Sequence, residues 1–133
     1  RRAALIRAEK AAELARSANE LVGADRLAEA AGALAEALQL QPGNPELRNI
    51  YATVLARQGD FRAALTQFDK AIETKPDHAM AHFNRAMALE ELGDFENAIK
   101  GYRKASALDP AWKEPKNRIE ILGRQNPAPP DRL

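Results

Sequence analysis

The sequence predicts an all-α protein built from repeated pairs of helices. Residues that favour helices, such as Ala, Leu, Glu and Arg, are abundant. Only 5% of the residues are aromatic, which is unfavourable for a β-sheet protein. The stretch "GDFRAALTQFDKAIETKP" begins at Gly59, and the similar "GDFENAIKGYRKASALDP" begins at Gly93. A repeat of this period is typical of arrays of stacked helix pairs.

The repeat extends to three copies when the chain is aligned on Pro42, Pro76 and Pro110. Each copy has a small residue twelve positions before its proline, a large one eight before it and Ala five before it. These residues are Ala30, Ala64 and Ala98; Leu34, Phe68 and Tyr102; and Ala37, Ala71 and Ala105. We predict that the small residues let two helices approach closely while the large residue fills the space beside them.

Each copy is predicted to form two amphipathic helices joined by a tight turn. Leu14, Ala18 and Leu21 recur at helical spacing in the first half of the first copy. Gly59-Asp60 and Gly93-Asp94 suit the turns of the other two, because Gly adopts the left-handed conformation and Asp caps the next helix. The first copy reads Gly23-Ala24-Asp25 at this place.

Helix start and stop signals set the predicted boundaries. Asn44-Pro45 and Asp77 are expected to start first helices, and Pro76 and Pro110 to end second helices. The predicted organisation is an N-terminal extension of the first helix at 1–10, repeats at 11–44, 45–78 and 79–112, a capping helix at 113–124 and a Pro-rich tail at 125–133. In that cap Ile119 and Leu122 should be buried, and Trp112 should close the last seam.

With this period and register, the chain resembles the tetratricopeptide repeat family. The paired small residues, the large residue between them and the terminal proline all match. The resemblance implies a right-handed superhelix of three antiparallel helix-turn-helix units with a C-terminal capping helix. It also implies a non-catalytic role, in which the first helices line a concave groove that binds a peptide or helix of a partner protein.

First-helix positions that do not pack against the second helix are the predicted groove residues. They are Arg16, Asn19, Asn49, Ile50, Thr53, Arg57, Met80, Phe83, Asn84, Met87 and Glu90. Met80, Phe83 and Met87 share one helical stripe and are predicted to anchor apolar side chains. The alternative is that this stripe belongs to the core. The Asn residues and Arg57 are predicted to hold the partner's backbone or an acidic group.

Some members of the family hold a chaperone's C-terminal carboxylate with Lys, Asn and Arg on their first helices. This sequence has Asn19 at one such position. It has Ala15, Met80 and Asn84 where the carboxylate clamp would need Lys, Lys and Arg. The resemblance therefore argues against chaperone docking by that clamp.

No catalytic, cofactor or metal site is predicted. The chain has no cysteine, which excludes disulfides and thiolate chemistry. His78 and His82 are spaced to face one way on a helix, but no third metal ligand accompanies them. Neither Ser17 nor Ser106 lies in a nucleophile-elbow motif, and no Gly-rich phosphate loop occurs.

Charge and hydropathy limit the partners. The net charge is +1 with both signs interspersed, which argues against nucleic-acid binding. No apolar run approaches the roughly 20 residues that cross a bilayer, so membrane insertion is not expected. A soluble cytoplasmic protein is favoured, although the sequence leaves the compartment open.

Two alternatives to groove binding remain. The chain could self-associate as a scaffold, through Leu5 and Ile6 of the N-terminal helix or through its end faces. It could also be the docking or regulatory segment of a larger enzyme, since it begins with Arg1-Arg2 rather than Met. The tail contains a PxxP motif at 127–130, for which we favour a linker role over recognition by an aromatic groove.

Overall fold

The computed structural model describes residues 1–127, and over this range it contains seven α-helices and no strand. The helices are α1 (Arg2–Gly23), α2 (Leu27–Leu40), α3 (Pro45–Arg57), α4 (Phe61–Thr74), α5 (Ala79–Glu91), α6 (Phe95–Leu108) and α7 (Glu114–Gln125). The predicted all-α fold with three helix-turn-helix units and a further C-terminal helix is confirmed. Most of the predicted tail at 125–133, including the end of its PxxP motif, lies outside the described residues.

The chain divides into two compact units, Arg1–Pro76 and a second that begins at Asp77. In the first unit α1 packs on α2, α2 on α3, and α3 on α4. In the second unit α5 packs on α6, and α6 on α7. The pairs α1–α2, α3–α4 and α5–α6 are the three predicted helix pairs.

The residues shared by the three copies form the centres of the helix pairs. All nine are at most 1% exposed, which confirms the predicted packing of small residues around one large residue. In the first unit Ala18 of α1, Ala30 and Leu34 of α2 and Val54 of α3 form one buried cluster. Burial of this apolar surface is the main stabilising contribution to each unit.

The turns follow the predicted chemistry in the second and third copies. Gly59 and Gly93 have φ values of 86° and 82°, in the left-handed region that glycine adopts without steric cost. Asp60 accepts a hydrogen bond from the Ala63 N–H at 3.2 Å, and Asp94 accepts one from the Asn97 N–H at 3.3 Å. These two carboxylates therefore cap α4 and α6.

The starts of the first helices agree with the prediction at one position and differ at another. Asn44 accepts a hydrogen bond from the Leu47 N–H at 3.1 Å, and Pro45 is the first residue of α3. At α5 the capping residue is His78 rather than the predicted Asp77, because His78 directly precedes the helix and its Nδ1 accepts from the Ala81 N–H at 3.3 Å.

Candidate protein-binding surface

Helix α5 carries two large apolar side chains that face solvent. Met80 and Met87 are 46% and 47% exposed, and their spacing of seven residues puts them on the same side of the helix. Ala86 and Leu89 of the same helix are buried, so the packing side of α5 is occupied by other residues. We call Met80, Phe83 and Met87 the α5 surface.

Phe83 lies between the two methionines and is half-buried rather than fully exposed. Its ring meets that of Tyr102 in a T-shaped contact, with centroids 5.2 Å apart, and that of Trp112 at 4.6 Å. Contacts of this kind fix the ring in place. The aromatic cluster therefore forms a rigid base beside the more flexible methionines.

An open pocket of about 540 Å³ adjoins this surface. Its lining residues are Ala79, Met80, Asp109, Ala111 and Trp112. The walls are largely apolar, and Asp109 contributes a carboxylate. The volume lies within the roughly 300–1,000 Å³ that is usual for ligand sites, so the pocket is large enough for one side chain of a partner.

Glu90 follows the α5 surface in sequence, but its carboxylate already has partners within the second unit. The Tyr102 hydroxyl donates a hydrogen bond to Glu90 Oε1 at 2.8 Å, and the Arg118 guanidinium of α7 forms an ion pair with the same carboxylate. The Glu90 side chain is only 18% exposed. In this structure Glu90 thus joins α5, α6 and α7.

The surroundings of this group shift two pKa values. Burial raises the pKa of Tyr102 well above its ordinary value, and the hydrogen bond and charge of Glu90 raise it further. Burial alone would lower the pKa of Arg118, but the Glu90 carboxylate raises it on balance. The phenol is therefore neutral and the guanidinium charged at neutral pH.

The predicted contacts of the first unit lie on α1 and α3. Arg16, Asn19, Ile50 and Arg57 are exposed. Thr53 is half-buried and donates a hydrogen bond to the Asn49 carbonyl at 2.8 Å.

Asn49 and Asn84 are less accessible than the sequence predicted. Asn49 is only 8% exposed, because it lies three residues before the buried Ala52 and hence on the packing side of α3. Asn84 of α5 is half-buried. Asn49 is therefore poorly placed to bind a ligand in this structure.

Sequence reasoning missed the link between α5 and α7. Arg118 lies 28 residues from Glu90, and no spacing rule connects residues so far apart. It did anticipate that Trp112 closes the last helix pair, although not that Trp112 lines a pocket. Across residues 1–127 no cluster of three or more His, Cys, Asp or Glu side chains is arranged to hold a metal ion. None of the described helices is long and apolar enough to cross a membrane.

A family model of the tetratricopeptide repeat matches residues 15–61 and 52–111. The chain belongs to this family. Among similar proteins, the FK506-binding protein-like protein of Mus musculus is 36% identical over 93 residues, 65% of this chain and 27% of its own length. The Hsp70-Hsp90 organizing protein of Triticum aestivum is 33% identical over 114 residues, 86% of this chain and 20% of its own length.

Solved tetratricopeptide repeat domains have the same fold. The first such domain of Spaghetti (RPAP3), bound to the HSP90 peptide SRMEEVD, has a TM-score of 0.86 and 22% identity, with 91% of this chain and 96% of that chain covered. The Arabidopsis OM64 domain has a TM-score of 0.85 and 21% identity, with 90% and 98% covered. At these identities the likeness shows the fold alone. The chain spans about a quarter or less of the two relatives given above.

Proposed function

We propose that this chain is a non-catalytic interaction module that binds a peptide segment or helix of another protein, with the α5 surface as its anchor. The observation that carries this proposal is the exposure of Met80 and Met87 beside the Phe83–Trp112 contact. Large apolar side chains exposed together are a usual mark of a protein-binding surface. Membership of a family known for such modules supports the same conclusion.

The side chains of the α5 surface suit an apolar anchor on the partner. Methionine is flexible and polarizable, so it adapts to the shape of an incoming side chain. The ring of Phe83 is already fixed by Tyr102 and Trp112, so little ordering is needed when a partner binds. We infer that a Leu, Ile, Met or aromatic side chain of the partner occupies the pocket between Met80 and Trp112.

The partner peptide should differ from the one held by the Spaghetti domain. That domain is bound to SRMEEVD, which carries three acidic side chains. Here Ala15, Met80 and Asn84 stand where the family's carboxylate clamp would need Lys, Lys and Arg. Asp109 adds a carboxylate to the pocket lining, which would repel an acidic peptide and favour a basic side chain next to the apolar anchor.

Further contacts are predicted on first helices of both units. They are Arg16, Asn19, Ile50, Thr53, Arg57 and Asn84. We assign Asn49 and Glu90 to packing instead, because one is buried and the other is bound by Tyr102 and Arg118. The absence of nucleic-acid binding and of catalysis, and the cytoplasmic location, remain predictions from the sequence.

Selection of random displayed peptides against the purified chain tests the proposal. We expect selected peptides to share an apolar residue and to bind the double variant Met80→Ser/Met87→Ser at least tenfold more weakly, the size of loss expected when a binding anchor is truncated. Ile121→Ser is the matched control, because Ile121 is exposed to a similar degree on α7 and should not alter binding. Selected peptides that bind the double variant as tightly as the parent would contradict the proposal.

The synthetic peptide SRMEEVD is the second arm of this experiment. We expect it to bind more weakly than the selected peptides, because the clamp cations are missing. Tight binding of SRMEEVD that survives Met80→Ser/Met87→Ser would instead place the site on other first-helix residues.

The role of docking segment in a longer protein is a second candidate. It is favoured by the fact that the chain spans 27% and 20% of the two relatives described above. Expression of the full-length gene product and a test of whether Met80→Ser/Met87→Ser changes its associations would check this role.

A further inference from the structure

The first two turns of α1 have no packing partner within the described residues of this chain. Residues 1–7 are all exposed, and Ala11 is the first buried side chain of the helix. Helix α1 has 22 residues, whereas its partner α2 has 14. Leu5 and Ile6 nevertheless lie in this segment and are 60% and 55% exposed, the largest exposures among the large hydrophobic side chains described. A surface of this kind, outside the proposed partner site, calls for an occupant.

Four exposed residues form one stripe along this segment. Arg2, Leu5, Ile6 and Glu9 follow the i, i+3, i+4, i+7 spacing of one helix side. The stripe faces away from the packing side of α1, which Ala11 and Ala18 mark. Its apolar pair is thus flanked by a cation at one end and an anion at the other.

This order of charges is self-complementary. When two copies of α1 meet antiparallel, a twofold axis passes between Leu5 and Ile6, and the four apolar side chains pack together. Arg2 of each copy then lies opposite Glu9 of the other. A parallel pairing would put like charges opposite each other, which is unfavourable. Twofold pairing of identical surfaces is the commonest way in which soluble proteins self-associate.

We propose that the stripe of Arg2, Leu5, Ile6 and Glu9 is a self-association surface through which two copies of the chain pair antiparallel. Neither of the other occupants fits the charges as well. An acidic helix would pair with Arg2 but be repelled by Glu9, and an anionic lipid surface would also be repelled by Glu9 next to the apolar pair.

The dimer is expected to be weak. Two turns of helix bury much less than the roughly 1,200 Å² of stable interfaces. Arg1, Arg7 and Lys10 add positive charge to both copies, and their repulsion opposes pairing. Self-association should therefore be followed up to a concentration on the order of 1 mM, at which a contact worth about 4 kcal/mol is half formed.

Sedimentation equilibrium of the full chain with charge reversals is the test. The mass of the parent should rise with concentration from 14.6 kDa towards twice that value. Arg2→Glu and Glu9→Arg should each weaken self-association at least fivefold, because each creates two like-charge contacts. An equimolar mixture of these two variants should associate again, because both cross-pair contacts then join a carboxylate of one variant to a guanidinium of the other.

Two controls make the test specific. Glu13→Arg changes the charge of an exposed α1 residue beyond the stripe and should have no effect. Leu5→Ser/Ile6→Ser should abolish self-association while circular dichroism shows an unchanged helical fold, since both residues are exposed.

Three results would overturn the proposal. The first is a parent chain that stays monomeric at the highest concentration. The second is association that persists in Leu5→Ser/Ile6→Ser, or that the mixture of charge variants fails to restore. The third is a monomeric parent that co-sediments with vesicles of phosphatidylcholine and phosphatidylserine through Leu5 and Ile6, which would make lipid the occupant.

Discussion

At the scale of single residues, Tyr102 shows how one atom changes the role of a repeated position. It is the counterpart of Leu34 and Phe68 in the earlier repeats, and all three are buried. Its hydroxyl donates a hydrogen bond to Glu90, and Glu90 in turn binds Arg118 of α7. Tyr102 therefore contributes both to the core of the third repeat and to the attachment of the C-terminal helix.

The ionisation of Tyr102 should make stability fall at high pH. Because its pKa is raised in the folded state, the unfolded chain loses this proton first, from about pH 10 upward. The hydroxyl thus stabilises the fold fully below about pH 10 and progressively less above it. Tyr102→Phe should cost about 1 kcal/mol at pH 7. That difference from the parent should shrink as pH rises above 10, as measured by urea unfolding at each pH. A difference that stays constant or grows would contradict this assignment.

The ion pair between Glu90 and Arg118 should stabilise the second unit measurably. Glu90→Gln keeps an acceptor for Tyr102 but leaves the partly buried guanidinium without its counter-charge. We expect a loss of about 1–3 kcal/mol in the free energy of unfolding. Glu91→Gln is the matched control, since Glu91 is the exposed neighbour and should change stability by less than about 0.5 kcal/mol. Equal effects of the two substitutions would show that the pair contributes nothing.

At the scale of elements, the turn of the first repeat departs from the other two. Asp25 has a φ of 59° and lies 17 residues before Pro42, the register that Gly59 and Gly93 occupy in their copies. A residue with a Cβ pays a steric cost in this conformation. The next residue, Arg26, precedes α2 without a side-chain cap, where Asp60 and Asp94 cap the later helices.

Restoring the repeated turn in the first copy should therefore stabilise the chain. Asp25→Gly removes the steric cost, and Arg26→Asp supplies a helix cap. Together they should raise the free energy of unfolding by about 1–2 kcal/mol, after loss of the weak exposed pair between Arg26 and Glu29. Thermal and urea unfolding measure the change. Ala24→Gly, one position earlier, should give no gain, and a double variant no more stable than the parent would refute the account of this turn.

At the scale of the whole molecule, the repeat determined what could be predicted. Register across three copies identified the helix pairs and their buried residues, because packing positions recur every 34 residues. It could not identify Asn49 as buried, since polar residues on a first helix are compatible with either side. Nor could it pair Glu90 with Arg118, because α7 lies outside the repeat and contacts between distant residues leave no periodic signal. The same limit applies to the pocket of Met80, Asp109 and Trp112, which joins residues from two ends of the third repeat.

The most direct test of the proposed function is a fluorescence titration with a peptide selected on this chain. Trp112 is the only tryptophan in the sequence, and it lines the pocket beside Met80. Peptide binding at the α5 surface should therefore change its emission in a saturable way. In Met80→Ser/Met87→Ser the dissociation constant should rise at least tenfold, whereas Ile121→Ser should leave it unchanged. Saturable binding, confirmed by calorimetry, that leaves Trp112 emission and the double variant's affinity unaltered would contradict the central claim.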